Sequence, residues 1–475
     1  MTQTNAALHR SYPVATVAVT SLGFFLVQLD GSIVNIALSQ IGTALRTGIS
    51  ELQWTVDVYF VSFAVLLLSA GALSDRWGAH RAFVTGFTVF SFASLICGLA
   101  PNVGALIAAR AVQGVGAALL VPCLLALLNG ACSSDAGIRA SAVGLWTAAG
   151  GVGIAMGPIL GGLLIGAFGW RSIFLINLPI GLAGIWFTLR FLDRSLAPQK
   201  TRGFDLIGQA LAALAVLGIV GTIIETGPSG WHSPLVLSGL VMAVTTGIGF
   251  IIIERKAPDP AVPVDLFRNM NVSTTLLVGF AVNAVMFGVT FAFALYFQRV
   301  LLFSTVETGI AFLPFALMII AANVVGGRCV ARFGMRIPIF VGLLIAATGC
   351  ALLAGQDTTY LAILPGQLLI RLGIGLVVPA ITTGILAAVP SARTGVASGA
   401  LNAIRQTGGA VGVAVFGALM AADIVRGVRI AMVVAGLSLV VTAVISLVGM
   451  RLPQPRQVRP ARSARVDESI PSSAR

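Results

Sequence analysis

The stretch FFLVQLDGSIVNIAL, residues 24–38, is apolar except near one carboxylate, Asp30. An aspartate at a bilayer centre costs about 2.5–3.5 kcal/mol on insertion scales, so such a residue is a functional-site candidate. On a helix, its neighbours three and four positions away are Leu26, Val27, Ile33 and Val34, all apolar. Gln28, Ser32 and Asn35 form a separate polar stripe on nearly the opposite side. Asp30 thus has no partner on its own helix. A buried carboxylate without a partner favours its neutral form. Such a group can take up and release a proton, or exchange it for a cationic ligand. The alternative is a packing acid held by an arginine from another helix.

Arg110 is that type of partner. It lies in ARAVQGVGAA, residues 109–118, with Gln113 one turn away on the same face. It either shifts and relays the proton of Asp30 or is satisfied by backbone carbonyls; the sequence does not place it against Asp30. Arg371 and Arg405 are two further arginines inside apolar runs, open to the same two readings. In GGVGIAMGPILGG, residues 150–162, Gly153, Gly157 and Gly161 recur every fourth position, a small-residue face that lets helices approach closely. Pro158 removes a backbone donor and favours a kink. This helix is either a packing element or a hinge and seal. In SDRWG, residues 74–78, Asp75 suits a cap or a cross-helix pair, and Gly78 permits the turn. Asp57 and Glu225 are weaker candidates. Each is expected near a span end, where Trp54 and Trp231 fit an aromatic belt.

The elements that carry these residues follow from composition. The chain has 475 residues, 57% hydrophobic and 9% charged, against about 25% charged in soluble domains. Its apolar runs are continuous, as membrane helices require, rather than alternating as in barrel strands. Fourteen spans are expected, over 13–38, 54–74, 82–100, 103–129, 140–167, 171–192, 206–226, 233–253, 272–297, 306–327, 337–355, 360–386, 396–422 and 428–450. An even number places both termini on one side. With that side inside, and Arg171, Arg190 and Arg429 at span ends counted with the adjoining segments, the inner segments hold 21 Lys and Arg, the outer loops 5 and the spans 3. The positive-inside rule therefore predicts cytoplasmic termini, and it accounts for the net charge of +13 without nucleic acid. The tail 451–475 is expected to be disordered and basic.

An internal repeat predicts the architecture. Aligning Gly71 of GALSDRWGAHR with Gly327 of GGRCVARFGMR also aligns Arg76 with Arg332 and Gly78 with Gly334. Arg110 then has a counterpart in Arg371, and both halves contain a glycine-rich fifth span. The expected organisation is a cytoplasmic arm 1–12, a six-helix bundle 13–192, a linker 193–271 holding two extra helices, and a second bundle 272–450. Chemistry of other kinds finds little support. Neither Lys200 nor Lys256 follows glycine, so the phosphate-loop pattern is absent. The five cysteines show no metal spacing, and the three histidines lie outside the spans.

Together these residues resemble the fourteen-helix drug:proton antiporters of the major facilitator superfamily. LDGSIVNIAL, GALSDRWGAHR with Gly71, Asp75, Arg76, Gly78 and Arg81, and RAVQGVGAA with Arg110, Gln113 and Gly114 are similar to its motifs. So are GIAMGPILGG, with Gly153, Gly157, Pro158, Gly161 and Gly162, and WRSIFLINLPIG. Ala79 and His80 stand where the loop motif is usually basic. The resemblance implies a monomeric bacterial plasma-membrane exporter that rocks two bundles around a central cavity. It needs no cofactor and exchanges protons for lipophilic, expectedly cationic, small molecules. A dedicated exporter of one antibiotic or metabolite is the alternative. A nutrient importer or a transport-inactive sensor fits the motifs less well.

Overall fold

The computed structural model describes residues 2–131, 136–192, 205–257, 264–355, 359–390 and 393–450. It is 91% helix, with no strand among the described residues. The helices are α1 (Thr2–Leu45), α2 (Ile49–Trp77), α3 (Ala79–Leu99), α4 (Val103–Ala131), α5 (Ala136–Phe168), α6 (Ser172–Leu175), α7 (Asn177–Phe191) and α8 (Leu206–Ser229). They continue with α9 (Pro234–Lys256), α10 (Met270–Arg299), α11 (Thr305–Ala311), α12 (Leu313–Phe333), α13 (Arg336–Ala354), α14 (Tyr360–Ala387), α15 (Thr394–Met420) and α16 (Ile424–Gly449).

Among the described residues, thirteen segments are long and apolar enough to cross a membrane. Fourteen were expected from the sequence; the remaining expected span, 54–74, is helical within α2, whose 29 residues carry Glu51, Gln53 and Asp57 in the first half. Its place between α4, α8 and α15 buries Gln53 and Asp57 within protein rather than exposing them to lipid. The first expected span extends in both directions, because α1 is helical from Thr2. Two expected spans are each broken into two helices. The run 171–192 breaks at Ile176, just before Pro179, and the run 306–327 breaks at Phe312, just before Pro314. Proline lacks an amide hydrogen and its ring clashes with the carbonyl four residues back, which interrupts the helix in the preceding turn.

The packing has an approximate two-fold repeat. In the first bundle α1 packs on α5, α2 on α4, α3 on α4 and α3 on α7; in the second α10 packs on α15, α12 on α14, α13 on α14 and α13 on α16. The repeated loops share their turn geometry. Gly78 and Gly334 both have positive φ, 86° and 73°, a conformation that disfavours any side chain bearing a Cβ. The bundles meet through α2 against α15, α5 against α11, and α1 against α10. The extra pair sits outside that seam, with α8 packed on α2 and α15 and α9 packed on α8. The exposed surface of α9 is apolar, including Leu237, Leu240, Val244, Ile248 and Ile251, as a lipid-facing helix requires. The linker segments 193–204 and 258–263, the tail 451–475 and Cys132 lie outside the described residues.

Candidate functional site

Asp30 does have a partner, and it is Arg110. Nη1 of Arg110 lies 2.5 Å from Oδ2 of Asp30, and both side chains are buried, at 1% and 0% exposure. Two amides complete the carboxylate's shell. Gln113 Nε2 and Asn177 Nδ2 donate to Oδ1 at 2.7 and 2.8 Å. The same two amides also donate to the Ser94 hydroxyl, at 2.6 and 3.2 Å. Arg110 further donates to Gln113 Oε1 at 2.7 Å and, through Nε, to the Thr55 carbonyl at 3.2 Å. Its guanidinium lies over the Tyr59 ring, 4.2 Å from the centroid. Five spans of the N-terminal bundle thus converge on one ion pair, on donors and acceptors that compensate its burial. Of this cluster, the sequence reading singled out Asp30, Arg110 and Gln113. It missed Ser94, Tyr59 and Asn177. Asn177, in INLPIG, was findable as an amide at a helix start inside an apolar run.

The polar stripe on the far side of α1 faces elsewhere. Ser32 and Asn35 line a cavity between the bundles, together with Ile154 and Pro158 of α5, Phe287 and Thr290 of α10, Phe312 and Phe315, and Arg371 of α14. Asp30 is not among the lining residues. Asn35 was a secondary candidate from sequence; the structure puts it at the cavity, with Oδ1 unpartnered. Arg371 donates to the Thr290 hydroxyl at 2.7 Å, and its Nε has no partner.

At one end of the molecule the bundles are in close contact. Gln53 of α2 donates to the Val413 and Ala414 carbonyls of α15, at 3.3 and 2.8 Å, and Gln298 of α10 donates to the Ile36 carbonyl at 2.9 Å. Phe60 meets Phe287 across the seam, with centroids 4.7 Å apart. The glycines of α5 divide between two faces. A Cβ at Gly153 would come within 2.7 Å of the Phe25 carbonyl, and one at Gly157 or Gly161 would strike Ser32 or Ile33, so this row seats α5 on α1. A Cβ at Gly162 would lie 2.6 Å from the Thr305 carbonyl, so the other face closes on α11. At the opposite end, a Cβ on Gly144, Gly327 or Gly395 would meet nothing within 4 Å.

Asp57 is not interfacial, as its place near a span end had suggested. It is fully buried, one turn from Gln53 on the face of α2 that meets α15, and neither carboxylate oxygen has a hydrogen-bond partner. Glu225 is half-buried and accepts from the Trp54 indole at 3.4 Å, which ties α8 to α2. Arg405 packs beside Gly279 of α10, its Nε unpartnered. Around the turn between α2 and α3, Gly71 of α2 faces Pro122, and Arg76 of α2 and Arg81 of α3 are exposed. The side chain of Asp75 lies outside the described residues. Among those residues no cluster of His, Cys, Asp or Glu could hold a metal ion.

Comparison with known proteins places this geometry. Residues 20–413 match the family described as Major Facilitator Superfamily. The chain is 36% identical over 411 residues to the multidrug resistance protein Stp of Mycobacterium tuberculosis, covering 86% of this chain and 76% of that protein. It is also 36% identical over 411 residues to a methylenomycin A resistance protein of Bacillus subtilis, covering 86% and 87% of the two chains. Among solved structures, a bacterial homologue of the lysosomal transporter Spinster, described as inward-facing and unoccupied, superposes with a TM-score of 0.68 at 16% identity. That match covers 93% of this chain and 99% of the other.

Proposed function

The chain belongs to the Major Facilitator Superfamily, and we propose that it exports drug-like small molecules from a bacterial cell in exchange for protons. The observation that carries this reading is the cavity between the bundles, closed at one end and flanked in the seam by a buried acid without a partner. The two similar proteins named above are resistance proteins, which favours export over uptake.

The Lys and Arg asymmetry supports cytoplasmic termini. On that sidedness the closed end is extracellular, and the cavity loads from the cytoplasm, as an exporter's must. Gly162 against Thr305 and Gln53 against Val413 and Ala414 hold the outer closure. Outward opening separates these contacts while α5 stays seated on α1. Because α2 forms half of the seam, opening also admits water to Asp57. An ionised carboxylate without a partner costs several kcal/mol to enclose. Closure therefore goes with a proton on Asp57, and opening releases the site to exchange. Asp30, already ionically satisfied, anchors the helices that frame this movement. The proton gradient supplies the energy, with no cofactor, and the monomer suffices because both halves of the cavity come from one chain. A transporter restricted to one antibiotic or metabolite would use the same machinery.

The reading is tested in proteoliposomes holding the purified chain and a pH gradient. Addition of a substrate from a panel of antibiotics and dyes should move protons. A full panel without any proton movement would overturn proton-coupled export.

A further inference from the structure

A buried cation without a carboxylate calls for an anion to face it. The two bundles answer this differently. In the first, Arg110 is neutralised by Asp30. Its counterpart Arg371, at 5% exposure, has only the neutral Thr290 hydroxyl as a described partner and an unpartnered Nε, and it lines the cavity. Arg405 lies beside Gly279, about two turns along α10 from the cavity residue Met286, toward the open end. Its Nε is also unpartnered. Among the described residues of α10–α16, the acids are Glu307 and Asp423, and both are engaged at helix starts. Glu307 accepts from the Ser304 amide at 2.8 Å, and Asp423 accepts from the Arg426 amide at 2.7 Å. No Asp or Glu lines the cavity. The expectation of a cationic cargo rested on Asp30 facing the cargo, and Asp30 is on the far side of α1.

We propose that the cavity selects an amphipathic organic acid, with a carboxylate on Arg371 and an aromatic or alicyclic body against Phe287, Phe312 and Phe315. The guanidinium fork matches a carboxylate in geometry and charge. The apolar walls suit the body. Asn35, on the opposing bundle, brings an amide to the same space. Arg405 would meet the acid on its way in. This inference rests on the cavity being the transport site proposed above. On the proposed sidedness, an anion leaving in exchange for protons is also helped by an inside-negative membrane potential.

The experiment uses three fluorescent probes of one shape and different charge: 1-naphthylacetate, 2-(1-naphthyl)ethanol and 2-(1-naphthyl)ethylammonium. Binding is titrated to the purified full-length chain in detergent. The acid should bind about tenfold or more tighter than the alcohol, the worth of a hydrogen bond to a charged group, and the ammonium more weakly still. Arg371→Gln should remove the acid's advantage and leave the alcohol within about twofold of wild type, which shows the cavity intact. Equal or tighter binding of the ammonium, an unchanged acid-to-alcohol ratio in Arg371→Gln, or no saturable binding of the acid would each overturn the assignment. The same probes added to the proteoliposomes separate the two readings. Acid-selective binding without proton movement by any compound counts against proton-coupled export and leaves the acid site standing. Proton movement driven by the ammonium and not by the acid does the reverse.

Discussion

Replacing Asp30 by asparagine should destabilise the N-terminal bundle far more than the same change at any other acid in the chain. Asp30 receives Arg110 at 2.5 Å, Gln113 at 2.7 Å and Asn177 at 2.8 Å. Asparagine keeps the shape but presents one oxygen in place of two, and turns an NH2 toward groups that are themselves donors. Arg110 is left as an uncompensated charge with 1% exposure. Removing one partner of a buried pair costs about 3–5 kcal/mol. If the bundle unfolds as a unit, each kcal/mol lowers the midpoint by about 2–4 °C, so a fall of about 6–20 °C is expected. Cys97, Cys123 and Cys350 are buried thiols outside any disulfide, and a thiol-reactive fluorophore reports their exposure on heating. Cys97 lies 3.6 Å from Gln113 Oε1, which places a reporter within the cluster. The double replacement Asp30→Leu with Arg110→Met should recover much of the loss, because an apolar pair carries no uncompensated charge. A midpoint for Asp30→Asn within about 2 °C of wild type, less than about 1 kcal/mol, would refute the anchoring role.

Three further outcomes follow from the packing. Gly157→Ala drives a methyl into Ser32 and toward the Ile33 amide, and should cost about 1–3 kcal/mol in the same thermal assay. Gly162→Val should leave the stability of the first bundle nearly unchanged but separate α5 from α11, read as faster labelling of a cysteine placed at Val306 from the extracellular side. Gln53→Ala removes the hydrogen bonds to Val413 and Ala414 and should likewise favour the outward-open state, with labelling of the Val306 cysteine rising by about fivefold or more for a loss of about 1 kcal/mol.

The helical architecture was legible because membrane spans are written in continuous apolar runs, and the repeat because Gly78 and Gly334 must both adopt positive φ. The ion pair was half legible. Asp30, Arg110 and Gln113 announce themselves as polar groups where polarity is costly, but Ser94 and Tyr59 are ordinary residues until α3 and α2 bring them inward. Periodicity correctly put Asp30 and the Ser32–Asn35 stripe on opposite sides of α1. It could not say which side faced the cavity, since that depends on where α4, α7 and α10 pack. Asp57 was misjudged for a related reason: nearness to the end of a span suggested the interface, whereas α8 and α15 cover that end. The cavity's aromatic lining left no trace, because Phe287, Phe312 and Phe315 look like any other residues in an apolar run. Pro179 and Pro314 were visible, but which turn would break was fixed only by the fold.

Proton coupling is tested most directly at Asp57. Wild-type, Asp57→Asn and Asp30→Glu chains would be reconstituted in proteoliposomes with a pH gradient, and proton movement measured on adding a transported compound, alongside its binding to the same proteins. Asp57→Asn should bind the compound as wild type does and move no protons, while Asp30→Glu, which keeps the charge opposite Arg110, should retain substrate-driven proton movement. Undiminished proton movement in Asp57→Asn would contradict the assignment of the proton to that carboxylate.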